Sequence, residues 1–182
     1  MSKTNPCRNY RYETEHFILR QVRSEDAPAL MACYSDPEAV ARMNDDNCLR
    51  GFLCQTEEDL RAYIAVWQSE DYARPAVIDK STGEAVGTLE IFGGETGVLR
   101  VDLPTRYESP AVLQELYTLA MEKFPADFPM GAMVTKAPAG APGAERAGLC
   151  RAGGVPGVWG LLPAGLPEAG HCLLRAGLLP VQ

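Results

Sequence analysis

The last 46 residues of this 182-residue chain, Ala137 to Gln182, include 33 Ala, Gly, Pro or Leu, and this break limits the fold more than any other feature. They contain no Ile, Phe, Tyr, Met, Ser, Thr, Asn, Asp or Lys. Ten glycines raise the entropy cost of ordering them, and six prolines interrupt any helix or strand ladder. The bias has no period, so it reads as low complexity. Two explanations stand side by side: a slipped reading frame in a GC-rich gene, or a genuine Ala/Gly/Pro/Leu-rich tail. The expected organisation is a domain over residues 1–136 and a tail of low order over residues 137–182. That tail is expected to supply no two regular strands, with irregular coil and a short helix near Glu145–Cys150.

Residues 1–136 carry ordinary patterning. Phe17 to Val22 reads as a strand, after which Ser24 is expected to cap a helix bearing Glu25 and Asp26 in its first turn and Leu30, Met31 and Tyr34 on its apolar side. Asp36 and Pro37 suit the N-cap and first position of a short helix. Thr56 and Asp59 form a variant capping box ahead of Leu60, Tyr63, Ile64 and Trp67 at helical spacing. Strands over 76–79 and 84–87 flank the polar turn Lys80-Ser81-Thr82-Gly83. Strands over 88–92 and 98–103 flank residues 93–97. Symmetry about Glu95 would set Ile91 against Leu99 and Leu89 against Val101 on the buried side. Glu90 would then meet Arg100 on the solvent or ligand side. Ser109 and Pro110 start a helix with Leu113, Leu116, Tyr117 and Ala120 on one face, ending near Phe124 ahead of Pro125. Met130–Val134 reads as a last strand.

The order is β-α-α-β-β-β-α-β, an α+β domain with a mixed, mostly antiparallel sheet flanked by helices and an incomplete or irregular C-terminal part. A net charge of −7 argues against nucleic acid and anionic membranes as partners. No apolar run is long enough to span a bilayer, and the first residues lack the apolar core of an export signal. The six cysteines form no C-x-x-C pair, so a zinc site is not expected, and reduced thiols in a cytoplasm are. His16 and His171 are expected at the surface. Glu57-Glu58-Asp59 reads as a solvated first turn, Asp45-Asp46-Asn47 as a polar loop, and Gly93-Gly94 as a hairpin loop.

Three stretches carry a family resemblance. Phe17-Ile18-Leu19-Arg20 leading to Ser24-Glu25-Asp26-Ala27 resembles the opening strand and first helix of the GNAT acyltransferase superfamily, in the branch that acetylates ribosomal-protein N-termini and related amines. Residues 76–87 resemble its second and third strands with their tight turn. Arg106-Tyr107-Glu108-Ser109-Pro110-Ala111 falls where the family carries Q/R-x-x-G-x-G/A. The likeness covers residues 14–136.

The resemblance implies transfer of an acetyl group from acetyl-CoA to a primary amine by direct attack in a ternary complex, without a metal. The acceptor would be a small molecule or a peptide N-terminus, and a homodimer is left open. By this likeness Val101 and Leu103 lie along the pantetheine arm, and Arg106, Tyr107, Glu108, Ser109, Pro110 and Ala111 face the pyrophosphate at a helix N-terminus. The sequence departs from the family in two ways. Ser109 replaces the central Gly and Pro110 removes an N–H. The strand ahead of the motif carries Arg100 and Asp102 where many relatives have a Glu. Glu90 is then the candidate catalytic carboxylate, with pairing to Arg100 as its plain structural alternative. The family's late Tyr has no counterpart after Lys136. The competing expectation is a catalytically silent module of the same fold that binds acyl-CoA or a protein partner.

Overall fold

A computed structural model describes residues 10–40, 54–69, 74–93, 96–127, 132–136, 150–151 and 158–161. The chain divides into two compact units, Met1–Ile91 with Val101–Tyr107, and Phe92–Arg100 with Glu108–Gln182.

In the first unit the strands are β1 (Arg11–Glu13), β2 (Phe17–Gln21), β3 (Pro75–Asp79) and β4 (Ala85–Gly93), neighbours in that order. β2 pairs antiparallel with β1 and β3, and β3 with β4. Strand β1 extends the expected set at the edge, joined to β2 by a turn in which the Phe17 N–H donates to Thr14 Oγ1 at 3.0 Å. The β3–β4 turn forms as its residues require. Asp79 Oδ1 accepts from the Ser81 N–H (2.8 Å) and hydroxyl (2.6 Å), and Gly83 takes φ +75°, a left-handed conformation natural to glycine. The register shifts by one residue between Val77–Gly87 and Ile78–Ala85, a bulge at Val86.

Helices α1 (Ala27–Tyr34) and α2 (Glu57–Ser69) belong to this unit. Their Leu30, Cys33, Tyr34, Leu60, Ile64 and Trp67 form one buried cluster with Val22, Ala76, Ile78 and Ala85. The capping box at α2 is present, with the Thr56 N–H donating to Asp59 at 3.0 Å and the Asp59 N–H to Thr56 Oγ1 at 3.1 Å. Tyr63, expected on the apolar face, is exposed. Ser24 does not cap α1. It lies in a 3-10 turn, Ser24–Asp26, while the buried Asp26 accepts from the Arg23 N–H (2.8 Å) and pairs with Arg20 at 2.7 Å. Asp26, the residue before α1, likewise makes no side-chain bond to the N–H groups of that helix. Cys33 and Cys54 are buried and in no disulfide, and burial pushes the Cys54 thiol up to about 11.

The second unit holds the greater part of β5 (Thr96–Asp102), then α3 (Pro110–Asp127), β6 (Ala132–Lys136), β7 (Cys150–Arg151) and β8 (Val158–Leu161). β5 and β6, the strands on either side of α3, run parallel from Thr96–Ala132 to Leu99–Thr135. The anticipated face of α3 is buried at Leu113, Leu116, Tyr117 and Ala120, joined by Leu119 and Phe124. The helix passes through Pro125 to Asp127, because a missing N–H in the final turn forfeits a single bond. The last strand begins two residues later than expected.

The expectation of no regular strands after residue 137 is corrected. β8 pairs antiparallel with β6 from Met133–Leu161 to Lys136–Val158, and β7 with β8. Backbone pairing to an available strand edge does not require the side-chain alternation that the tail lacks. Residues 145–149, where a short helix was expected, lie outside the described residues, as does Glu95, about which the β4–β5 pairing was anticipated.

Candidate functional site

After Asp102 the chain passes through the buried Leu103 and Pro104 into a 3-10 turn, Thr105–Tyr107, closed by the Tyr107 N–H on the Pro104 carbonyl at 2.8 Å. Two aspartates from distant segments hold this turn. Asp36 caps residues 37–40, which are helical, accepting at Oδ1 from the Glu38 and Ala39 N–H groups at 3.0 and 3.3 Å. Its other oxygen accepts from the Thr105 N–H at 2.9 Å and the Thr105 hydroxyl at 2.8 Å. The Thr105 N–H above all brings its carboxyl pKa down to about 2. Asp79, in the β3–β4 turn, accepts from the Tyr107 hydroxyl at 2.8 Å. Its pKa is lowered chiefly by the Ser81 hydroxyl, while burial and then the bond to Asp79 raise that of Tyr107. Arg106, between these two anchors, is exposed, its guanidinium carbon 5.4 Å from the centre of the Tyr107 ring.

In the second unit Glu108, Ser109 and Pro110 are half-buried and Ala111 is exposed. Ser109 caps α3 as expected, its Oγ accepting from the Val112 N–H at 3.3 Å and its carbonyl from the Leu113 N–H at 3.0 Å. Pro110 at the first helical position supplies no donor. The Ala111 N–H is therefore the first-turn donor that this cap leaves for an anion. That is a narrower cradle than a glycine-rich turn provides. Val101 is half-buried and Leu103 is 1% exposed.

The structure corrects the surroundings of Glu90. Expected on an open face, it is 5% exposed, and its Oε1 lies 2.5 Å from Nη2 of Arg74, itself 3% exposed. Arg100 is buried as well. Nη1 of Arg74 reaches Asp102 Oδ2 at 3.3 Å, and the Trp67 ring lies 4.2 Å from its guanidinium carbon. Asp102 Oδ2 also accepts from the Tyr34 hydroxyl at 3.2 Å. Tyr34 has one hydroxyl proton, so its 2.7 Å contact with Thr88 Oγ1 makes Thr88 the donor there. Burial first, then the charge of Asp102, raises the Tyr34 pKa well above its ordinary value. Two carboxylates thus share one guanidinium in a buried setting. A legible signal existed: Glu90 between Leu89 and Ile91, and Asp102 between Val101 and Leu103, are charges inside apolar runs. Their shared partner Arg74 is distant in sequence and had no such signal.

His16 is exposed, 3.9 Å from Glu15, and Glu57, Glu58 and Asp59 form an exposed first turn of α2. Residues 45–47 and His171 lie outside the described residues. Among the described residues no group of three or more His, Cys, Asp or Glu is placed to hold a metal ion, and no helix is long and apolar enough to cross a membrane.

The family profile of the acetyltransferase (GNAT) domain matches residues 16–108, just over half of the chain. No curated protein matches the chain. Solved structures share the fold at low identity. A GNAT-family acetyltransferase from Bacillus anthracis superposes with TM-score 0.67 at 16% identity, covering 85% of this chain and 99% of that one. A GCN5-related N-acetyltransferase from Brucella melitensis gives 0.64 at 15% identity, covering 94% and 86%. The ribosomal-protein-S5-alanine acetyltransferase of Vibrio fischeri gives 0.58 at 14% identity, covering 88% and 100%.

Proposed function

Because the chain belongs to the GNAT acetyltransferase family, we propose that it transfers an acetyl group from acetyl-CoA to a primary amine, by direct attack within a ternary complex and without a metal. The observation that carries this reading is the segment after β5: a doubly anchored turn presenting Arg106, followed directly by the Ser109-capped start of an 18-residue helix. A guanidinium and a helix N-terminus are both anion binders, and they fall on the residues that resemble the family's CoA motif. We assign Arg106 to Ala111 to the pyrophosphate. Val101 and Leu103 are assigned to the pantetheine arm through their backbone. Pairing of β5 with β6 runs to Leu99–Thr135, while β5 itself continues to Asp102.

Attack requires the acceptor as a free amine, so a base must take the ammonium proton, and the departing thiolate must be stabilised. Glu90, paired with Arg74, is the carboxylate we assign as that base. The acceptor is a small amine or a peptide N-terminus, and the Vibrio fischeri neighbour, named for a ribosomal-protein substrate, favours the latter. A cytoplasmic setting suits acetyl-CoA supply and the free thiols.

A second reading is a silent module that binds acyl-CoA or a protein partner. The burial of Glu90 and Asp102 against Arg74 favours it, since neither carboxylate is open to solvent. Calorimetry with CoA, run beside an acetyl-CoA turnover assay over amine and peptide acceptors, separates the two. Binding with turnover is the expected result. Binding without turnover supports the silent module, and a chain that takes no CoA overturns the acetyltransferase reading.

A further inference from the structure

We infer that Asp36 and Asp79 are positioning residues that pin the Thr105–Tyr107 turn from two sides and so present the Arg106 guanidinium to the phosphates of the acyl donor. This rests on the CoA-binding reading above and adds residues that lie outside the recognisable motif, 69 and 28 positions from the groups that they hold.

The physical reason is entropic. An exposed arginine on an unanchored loop loses rotamer and backbone freedom when it engages an anion, and that loss subtracts from affinity. Here the backbone beneath Arg106 is ordered in advance. The Thr105 N–H and hydroxyl close on Asp36 Oδ2, the Tyr107 hydroxyl closes on Asp79 Oδ2, and the Tyr107 ring lies alongside the Arg106 side chain. Both aspartates spend their charge locally. Asp36 also takes two N–H groups of the 37–40 helical turn, and Asp79 takes the Ser81 N–H and hydroxyl. The anchors also serve distinct segments, one opening a helical turn and one closing a hairpin, so the turn is fixed against two independent parts of the first unit.

The test is a thermodynamic cycle on the full chain, read by CoA calorimetry. Arg106→Gln alone is expected to weaken CoA binding about tenfold, as loss of one charge-assisted contact should. Thr105→Val with Tyr107→Phe removes a hydroxyl donor from each anchor. In that background Arg106→Gln is expected to cost less than about twofold. Using Thr105→Ser in place of Thr105→Val, with Tyr107→Phe kept, returns one hydroxyl and should restore part of the Arg106 effect, which a general loss of stability would not do. An Arg106 effect of equal size in both backgrounds overturns the inference. Amide hydrogen exchange across residues 105–107 of the free protein gives a readout independent of CoA. Protection unchanged by the paired substitution overturns the pinning itself. Loss of protection on that substitution, in a protein whose wild-type chain takes no CoA, would leave the anchors real. It would overturn both their assignment to a donor phosphate and the acetyltransferase reading.

Discussion

Replacing Arg74 by Met keeps an unbranched side chain of similar reach and removes the positive charge that lies between Glu90 and Asp102. Arg74 is 3% exposed, 2.5 Å from the Glu90 carboxylate and 3.3 Å from that of Asp102, and lies against the Trp67 ring. Removing one member of a buried ion pair costs about 3–5 kcal/mol, because the surviving charge stays desolvated. Two carboxylates survive here, so the upper half of that range is expected, with the lost stacking on Trp67 included. With a urea slope of about 1.5 kcal/mol per M, the unfolding midpoint should fall by roughly 3 M at pH 7 with the slope unchanged. Adding Glu90→Gln to Arg74→Met should recover part of the loss, since it removes one of the stranded charges. A deficit below about 1 kcal/mol at pH 7 would refute the reasoning. So would an Arg74→Met/Glu90→Gln chain less stable than Arg74→Met alone.

Ser109→Ala should cost about 1 kcal/mol in chemical denaturation through loss of the α3 cap, and Ser109→Gly a few tenths; equal losses would show that the hydroxyl is not the source. Gly87→Ala should cost about 3 kcal/mol in the same assay, the upper end for overpacking, because a Cβ there would lie 2.1 Å from the Asp102 carbonyl oxygen and 2.8 Å from Leu103 Cδ2. The folded pKa of Asp36, about 2, lies below its ordinary 3.8, so its contribution to stability is complete above about pH 4 and is lost as pH falls towards 2. Asp36→Asn should flatten that part of an acid-unfolding profile, and a profile identical to wild type would count against the Thr105 contacts.

Much of the architecture follows from local pattern. The period of Leu60, Ile64 and Trp67 and the turn chemistry of Asp79 to Gly83 each mark an element through residues a few positions apart. The caps at Asp36, Thr56 and Ser109 are legible for the same reason, since donor and acceptor lie two or three positions apart. The tail shows the limit of such reasoning. β8 has no alternation to reveal it, and its pairing with β6 draws on backbone groups that every residue carries.

The candidate site divides along the same line. Arg106 to Ala111 and their helix start are written in consecutive residues, as is the oddity of charges at Glu90 and Asp102 inside apolar runs. What those charges meet was decided by the tertiary structure. Arg74 lies 16 positions from Glu90 and 28 from Asp102, Tyr34 lies 68 from Asp102, and Asp36 lies 69 from Thr105. Residue type and spacing determine which groups can ionise, cap or turn. Which of them share a dry interior, and so must find one another or forfeit their hydration, depends on how the sheet and helices bring distant segments together.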